Sequence, residues 1–368
     1  MKSREYLCTL RPLGEYFLGG ERTFRFGDAT GQAGKVDYYI KSEDLPSQTT
    51  ILGILRFLVL QKAGQLSHSY RDTSKVEQQR KLIGSNGFLY ENRASQADYG
   101  SIEELGPLFL LGKGNNRLIQ TPLIKTHRQN EVYKPFQSMY RCRTDLGPDS
   151  LLPDTEDYAA KEGLPDSFLD IDSKDGKLVP RNEIFTETEH TRIKKSSKEE
   201  GFFKKVYKSL RDEYTFAFYC RTQEGVLPES TVVYAGQDKS AFAFTSRPVE
   251  GSEGKEGFLN NICNLPKGIE GASVFYAASD ILADLDSALK KTLLYCVLQT
   301  RPFRNMKAGG KASCYRDSMK KSPLYKMIRK GSVFYVRQDC RDDFVRLLTL
   351  PGAQQIGLNT IVEMGGNK

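Results

Sequence analysis

The sequence predicts an α+β protein built from two units with antiparallel sheets. Strand-like runs precede and follow a single helical pattern twice along the chain, whereas a doubly wound parallel sheet requires regular alternation of strands and helices. The length of 368 residues is typical of about two domains. We therefore predict an N-terminal unit at 1–145, an acidic insert and a basic hairpin at 146–210, and a C-terminal unit at 211–368.

The first elements are two predicted strands, at 6–10 and 38–40, with a glycine-rich loop between them at 19–34. This loop lacks the G-K-[ST] ending of a phosphate loop. Its Arg22 and Arg25 alternate with Phe24 and Phe26, a mixture of charge and stacking surface that suits single-stranded nucleic acid. Half-buried strand alternation explains the same pattern, and both interpretations stay open here.

A helix is predicted directly after LPSQTT, residues 45–50. Ser47 is a natural N-cap, and Gln48 and Thr49 place hydrogen-bonding side chains in the first turn. The helix then shows apolar residues at helical spacing, with Arg56 on the other side. A helix N-terminus with free N–H groups suits phosphate. The alternative is an ordinary capped core helix with nothing bound.

The middle of the chain contains two charged segments. After strand candidates at 106–112 and 118–124, residues 145–182 are rich in Pro, Gly and Asp and predict a long loop or insert. Within it, 145–175 carries ten acidic and two basic residues, which indicates either a protein partner or a solvated loop. Residues 186–210 predict a projecting β-hairpin, and 192–211 carries eight basic and two acidic residues. A solvated basic hairpin is the competing interpretation.

The second half repeats the pattern of strands around a helix. We predict a helix at 280–298, a short helix at 342–348, and strands at 215–220, 231–234, 241–245, 273–277, 331–336 and 356–363. Residues 301–330 carry ten basic residues and one acidic residue, so this stretch alone can account for the net charge of +8. Such a concentration of positive charge indicates a polyanionic partner.

Several classes of site lack support in the sequence. The seven cysteines include no C-x-x-C pair and are typical of reduced thiols in a cytosol, and none of the three histidines has metal-ligand spacing with another. We predict no cofactor, no metal and no membrane span. A metal-independent ribonuclease remains an alternative, with His68 and Tyr70, or His190 beside Arg192 and Lys194, as acid and base.

Several segments together resemble the repeat-associated mysterious protein (RAMP) superfamily of CRISPR effector subunits, and within it the third-subunit family of the Cmr, type III-B, complex. The segment 46–56 resembles the family's P-S-x-x-T-x-x-G-x-L-R helix start. Resemblance extends to LRPLGEYFLGGERTFRFG, to GPLFL, to EHTRI followed by GFFKKVY, to KGSVFYV and to QQIGLNTIVEMGG. The last segment has Asn359 where a second glycine is usual. Membership in the related type III-A, Csm, family stays open.

This resemblance implies two ferredoxin-like (RRM-like) units with a projecting β-hairpin and long polar insertions. It implies a non-catalytic, cytoplasmic subunit that caps the 5′ repeat-derived tag of the crRNA in antiviral defence. It also implies contacts with the large polymerase-cyclase subunit and with a backbone RAMP subunit. The alternative activity is a RAMP endoribonuclease that processes repeat RNA. We predict that the RNA-binding residues are Arg22, Arg25, Ser47, Gln48, Thr49, Arg56, His190, Arg192, Lys194, Lys307, Gly309, Gly310, Lys311 and Arg316.

Overall fold

The structure is a computed structural model. It describes residues 2–19, 22–26, 36–67, 74–85, 87–127, 131–144, 147–154, 156–195, 200–236, 238–284, 286–304, 306–308 and 319–366. These residues form a mixed α+β fold in which most strand pairs are antiparallel and helices are few. The α+β class predicted from the sequence is confirmed.

The strands of the first part are β1 (Ser3–Pro12), β2 (Arg22–Phe26), β3 (Val36–Lys41), β4 (Ile102–Leu105), β5 (Phe109–Leu111), β6 (Arg117–Gln120), β7 (Met139–Thr144), β8 (Gly147–Pro153), β9 (Ser167–Asp170), β10 (Leu178–Pro180), β11 (Phe185–Lys195) and β12 (Glu200–Leu210). Those of the second part are β13 (Thr215–Gln223), β14 (Ser230–Ala235), β15 (Ser240–Pro248), β16 (Ser273–Ala277), β17 (Leu293–Val297), β18 (Thr300–Phe303), β19 (Met306–Ala308), β20 (Met319–Lys321), β21 (Tyr325–Ile328), β22 (Val333–Val336) and β23 (Ile361–Met364). The helices are α1 (Gln48–Lys62), α2 (Val76–Ile83), α3 (Arg181–Ile184), α4 (Lys255–Cys263), α5 (Ser287–Thr292), α6 (Arg341–Leu348) and α7 (Pro351–Gln355).

The largest sheet has the strand order β10-β9-β6-β5-β13-β1-β15-β14, and β4 also pairs with β13. All of its pairs are antiparallel. β1 lies in the middle, paired with β13 on one side and β15 on the other. Strands from both sides of the predicted middle part are therefore hydrogen-bonded in one sheet. The division at 145 and 210 stays a prediction.

A second sheet has the order β17-β22-β16-β23, again antiparallel. Along the chain its elements follow the order β16, α5, β17, β22, α6, β23. One face of this sheet, with Phe275 and Phe334, packs on Phe344 of α6. The other face packs toward the large sheet.

Two hairpins extend from these sheets. The thumb hairpin is β11 and β12, paired in register from Phe185↔Leu210 to Lys195↔Glu200. β12 also pairs in parallel with β3, and β3 pairs with β2. The basic arm, which we define as residues 300–330, contains the ladders β18/β21 and β19/β20. The thumb hairpin lies between β5 and β13 in the chain, and the basic arm lies between β17 and β22.

A shared core joins the two sheets. Helix α1 covers one face of the large sheet, where Ile51, Leu55 and Leu58 are fully buried. On the opposite face, residues such as Tyr219 belong to the same apolar cluster as Phe258 of α4 and Tyr335 of β22. The layers are thus α1, the large sheet, the second sheet with α4, and finally α6.

Much of the predicted secondary structure is confirmed, including α1, the thumb hairpin and the short helix at α6. The loop predicted at 19–34 is wrong in part, because 22–26 form strand β2. Residues 20–21 and 27–34 of that loop lie outside the described residues. The predicted loop at 145–182 is also wrong in part, since it contains β8, and β9 and β10 extend the large sheet. The last strand is shorter than predicted, because it begins at Ile361.

The helix predicted at 280–298 is wrong. Asp286 caps a short α5, and the chain then turns into strand β17 at Leu293. The four-residue spacing of apolar side chains fits a helix, but Leu293–Val297 pairs with β22 instead. Hydrogen bonding of Leu293–Val297 to β22 therefore overrides the helical pattern of the local sequence.

Candidate nucleic-acid interface

A cleft of about 610 Å³ lies where the base of the thumb hairpin, the base of the basic arm and the start of α1 meet. The segment 41–46 between β3 and α1 forms its floor. Six basic side chains line it against four acidic ones: Lys41, Arg181, Lys208, Arg301, Arg329 and Lys330 against Glu43, Asp44, Asp166 and Asp280. The cleft therefore combines a polar lining with a surplus of positive charge.

We call Lys41, Arg181 and Lys208, together with Asp44 of the floor, the hairpin wall of the cleft. Glu187 does not line the cleft but pairs with the three cations of this wall. Both Nε and Nη2 of Arg181 lie 2.6 Å from the Asp44 carboxylate. Lys208, whose side chain is 1% exposed, lies 2.5 Å from Asp44 and 2.8 Å from Glu187. Lys41 and Arg181 each lie 2.9 Å from Glu187. Every cation of this wall thus has a carboxylate partner.

These contacts shift the pKa of both carboxylates. Burial raises the pKa of Glu187, but hydrogen bonds from Lys208, Lys41 and Arg181 outweigh it and lower the pKa to about 2. Burial likewise opposes ionisation of Asp44, yet Arg181 and Lys208 hold its pKa below the usual range. Both groups are therefore ionised in the folded protein near neutral pH.

The arm wall consists of Asp280, Arg301, Arg329 and Lys330. Asp280 pairs with Nη2 of Arg301 and accepts the backbone N–H of Lys330 at 3.0 Å. Arg329 donates to Gln299 at 3.2 Å and lies 3.9 Å from Glu43. Burial and the two neighbouring guanidinium groups lower the pKa of Lys330 to about 8, although Asp280 opposes this shift. Sequence reasoning included these cations in the basic stretch but did not single them out.

The predicted helix start serves visible structural roles. Ser47 is the N-cap of α1, and its Oγ accepts the backbone N–H of Thr50 at 3.2 Å. The hydroxyl of Thr49 lies 3.0 Å from the same oxygen. Gln48 is buried, and its amide donates to the carbonyls of Gly106 and Gly357 at 2.8 and 3.0 Å. These bonds fix α1 to the segments at 106 and 357, both of which the resemblance includes.

Gly357 and Asn359, in the segment before β23, both have a positive φ. Gly357 has φ of 80°, and a Cβ there would lie 2.0 Å from the Gln48 amide nitrogen. Asn359 has φ of 52°, and its side chain bonds to the backbone of Leu282 and Leu348. Asparagine is among the few non-glycine residues that favour this left-handed conformation. Asn359 therefore adopts a backbone conformation that glycine adopts most readily.

Arg56 and His190 have partners within the chain. Arg56 donates to the carbonyl of Gly84 at 3.4 Å, and burial lowers its pKa. Nε2 of His190 lies 2.7 Å from Glu15, and its ring stands edge-on against Tyr207. Contacts to Thr188 and His190 lower the pKa of Glu15. Neither residue lines the cleft.

The remaining predicted site residues lie on the two hairpins and on β2. Arg192 and Lys194 are in β11, where they oppose Phe203 and Gly201. Lys307 is in β19 opposite Lys320, and Arg22 and Arg25 are in β2. For these residues the structure gives the strand position alone. Gly309, Gly310, Lys311 and Arg316, and also His68 and Tyr70, lie outside the described residues.

Sequence reasoning missed the residues that line the cleft. Asp44, Arg181 and Lys208 come from three separate segments, and only the fold brings them together. The one available signal was the position of Asp44, two residues before Pro46 at the helix start.

Within the described part of the chain, no group of His, Cys, Asp or Glu side chains is arranged to hold a metal ion. Across the same residues, no helix combines the length and the apolar character needed to cross a bilayer. The described cysteines are free thiols, and Cys8 and Cys220 are buried.

A scan of the chain against models of known protein families finds no matching family. A search of curated proteins finds no matching sequence.

Proposed function

We propose that this chain is a non-catalytic RNA-binding subunit of a type III CRISPR effector complex, and that it holds the 5′ repeat-derived tag of a crRNA. One observation carries the proposal: the bases of two basic hairpins, inserted in different parts of the chain, meet at one cation-rich cleft. Phosphate contacts from Lys and Arg supply affinity for RNA, and such contacts fix the register of a strand.

The order of strands supports a pair of ferredoxin-like units. At 273–364, the elements β16-α5-β17-β22-α6-β23 follow the β-α-β-β-α-β order of that fold. Their sheet order, β17-β22-β16-β23, corresponds to β5-β13-β1-β15 in the large sheet. In the part of the chain that forms the large sheet, α1 follows β1, and β14 stands between β13 and β15 where the ferredoxin-like order has its second helix. Each basic hairpin is then inserted between the second and third strands of its unit.

The resemblance to RAMP subunits supports the partners that we propose. These are the crRNA tag, the large polymerase-cyclase subunit and a backbone subunit of the same cytoplasmic complex. The thumb hairpin, with His190, Arg192 and Lys194, and the basic arm, with Lys307, Lys311 and Arg316, would lie along the strand. The helix start at Ser47, Gln48 and Thr49 belongs to the same proposal through its motif.

Removal of arm cations tests the RNA interface. The variant Lys307→Ala/Lys311→Ala/Arg316→Ala is expected to bind crRNA more weakly, with a salt dependence flatter by roughly 0.7 in log–log slope for each lost phosphate contact. Its thermal midpoint should stay close to that of the wild type if these cations contact RNA and not the rest of the fold. Affinity is measured by fluorescence anisotropy over a salt series.

The matched control is Lys81→Ala/Lys174→Ala/Lys290→Ala, which removes three exposed lysines outside both hairpins. The control should keep the wild-type slope. A wild-type slope in the arm variant as well would remove the basic arm from the interface. Incubation with labelled repeat RNA in chelator tests the nuclease alternative: specific cuts that disappear in His190→Ala or His68→Ala would overturn the non-catalytic assignment.

A further inference from the structure

The arm wall contains one positive charge that the fold does not neutralise. Among the described residues, Asp280 has Arg301 as its ion-pair partner, and Glu43 lies near Arg329. The ammonium group of Lys330 has no ion pair within 4 Å in the same set of residues. It nevertheless lines the cleft beside the two guanidinium groups.

The surroundings of Lys330 penalise its charge. Burial lowers its pKa to about 8, and Arg301 and Arg329 add to this effect, while Asp280 and Asp44 oppose it. The Nε–H of Arg301 is also buried and has no hydrogen-bond acceptor in the described structure. A buried donor without an acceptor costs free energy, which a ligand oxygen can recover.

An anion with several acceptor oxygens matches this arrangement. Lysine is a common point-charge partner of phosphate, and arginine binds phosphate through a planar set of donors. Asp280 fixes one edge of Arg301 and the backbone of Lys330, so it orients both cations without being a ligand itself.

We propose that the arm wall is a phosphoryl-binding subsite in which Lys330 and Arg301 contact one phosphoryl group and Asp280 is a positioning residue. The assignment of that group to an RNA strand rests on the proposed function. Inorganic phosphate and adenosine monophosphate carry the same phosphoryl group as free small molecules.

Titration of the whole 368-residue chain with single-stranded RNA, with inorganic phosphate and with adenosine monophosphate tests the subsite. Lys330→Met should weaken the binding of single-stranded RNA by about tenfold, the usual scale of one charge-assisted contact. The matched control is Lys326→Met, an exposed lysine of the same arm that does not line the cleft. Its affinity should equal that of the wild type. Unfolding curves check that each variant is folded.

A pH series gives a second, independent readout. Wild-type affinity should fall as the pH rises through about 8, because Lys330 loses its proton there in the free protein. Lys330→Arg keeps its charge and should bind with a flatter profile, while Lys330→Met should be weak at every pH. Identical affinities and profiles in wild type and Lys330→Met would overturn the subsite.

The three titrations distinguish failure of the phosphoryl-binding subsite from failure of the proposed RNA-binding function. RNA binding that depends on Lys330, with no measurable binding of the free ligands, assigns the subsite to a phosphodiester of the strand. Binding of phosphate or adenosine monophosphate without any RNA binding would keep the subsite and overturn the proposed function. RNA binding that is indifferent to Lys330 and to Arg301→Gln would overturn the subsite and leave the proposed function standing.

Discussion

The two walls of the cleft contain similar cations but differ in how these are neutralised. In the hairpin wall, Lys208 is almost completely buried and has two carboxylate partners at 2.5 and 2.8 Å. In the arm wall, Lys330 is partly buried and has no ion-pair partner among the described residues. The first lysine completes a network that fixes the thumb hairpin to the floor of the cleft. The second leaves its charge available to a ligand.

This difference separates structural cations from binding cations. A buried charge is tolerated when it is paired and hydrogen-bonded, so a complete network needs no ligand. A cation that the fold desolvates without pairing lowers stability, and such a cost is typical of functional sites. Basic composition alone therefore overestimates the number of cations that are available to an anionic ligand.

The largest expected effect is loss of the central carboxylate of the hairpin wall. Asp44→Ala leaves Lys208 and part of Arg181 buried without their main partner, so the free energy of unfolding should fall by about 3–5 kcal/mol. Urea denaturation measures this change in the free energy of unfolding. The control is Asp212→Ala, at a side chain 96% exposed and paired with Arg11, where the loss should be below about 1 kcal/mol. A similarly small loss in Asp44→Ala would mean that these ion pairs do not hold the hairpin wall.

The same substitution at the two lysines should have different outcomes. Lys208→Met should lower the free energy of unfolding by about 2 kcal/mol, because Asp44 and Glu187 each lose a charged hydrogen bond but keep other partners. Lys330→Met should leave it within about 0.5 kcal/mol of the wild type or raise it, since the substitution removes an unpaired, desolvated charge. An equal loss of unfolding free energy in the two variants would mean that the two lysines do not differ in how the fold neutralises them.

A loss of stability smaller than that of Lys208→Met is expected at Glu187, and it depends on pH. The folded-state pKa of Glu187, about 2, is lower than its ordinary value of 4.5, so its ionisation stabilises the fold above about pH 4.5. That contribution is lost as the pH falls through about 2. Glu187→Gln should therefore be less stable than the wild type by about 1 kcal/mol at pH 6, and the difference should shrink on acidification. Glu103→Gln, at an exposed glutamate, is the control. A difference that is independent of pH would contradict the assigned shift.

Local patterns predicted the elements but not the cleft. The spacing from Ile51 to Val59 predicts α1 correctly, because a helix that buries one face repeats its apolar residues at that period. The similar spacing from Ile281 to Val297 failed, since pairing with β22 takes Leu293–Val297 into a sheet. Local sequence does not contain that long-range ladder.

The candidate site shows the same limit. The concentration of charge at 301–330 predicts a polyanion-binding region, and the structure brings its two ends, Arg301 and Lys330, to the cleft. Which cations are neutralised depends on carboxylates from distant segments, such as Asp44 for Lys208. Gln48 illustrates the reverse case, because a polar side chain that we predicted to contact RNA proves to be buried against two backbone carbonyls.

The apolar cluster shared by the two sheets has a consequence for the thermodynamics of binding. Since Tyr219, Phe258 and Tyr335 belong to one core, the walls cannot separate without exposing that core to water. The cleft is therefore preorganised, and a strand that enters it pays for little ordering of the protein. Binding at the cleft should then proceed with a small change in heat capacity, whereas a chain ending after Pro248 would lose the second sheet and expose the apolar face of the first.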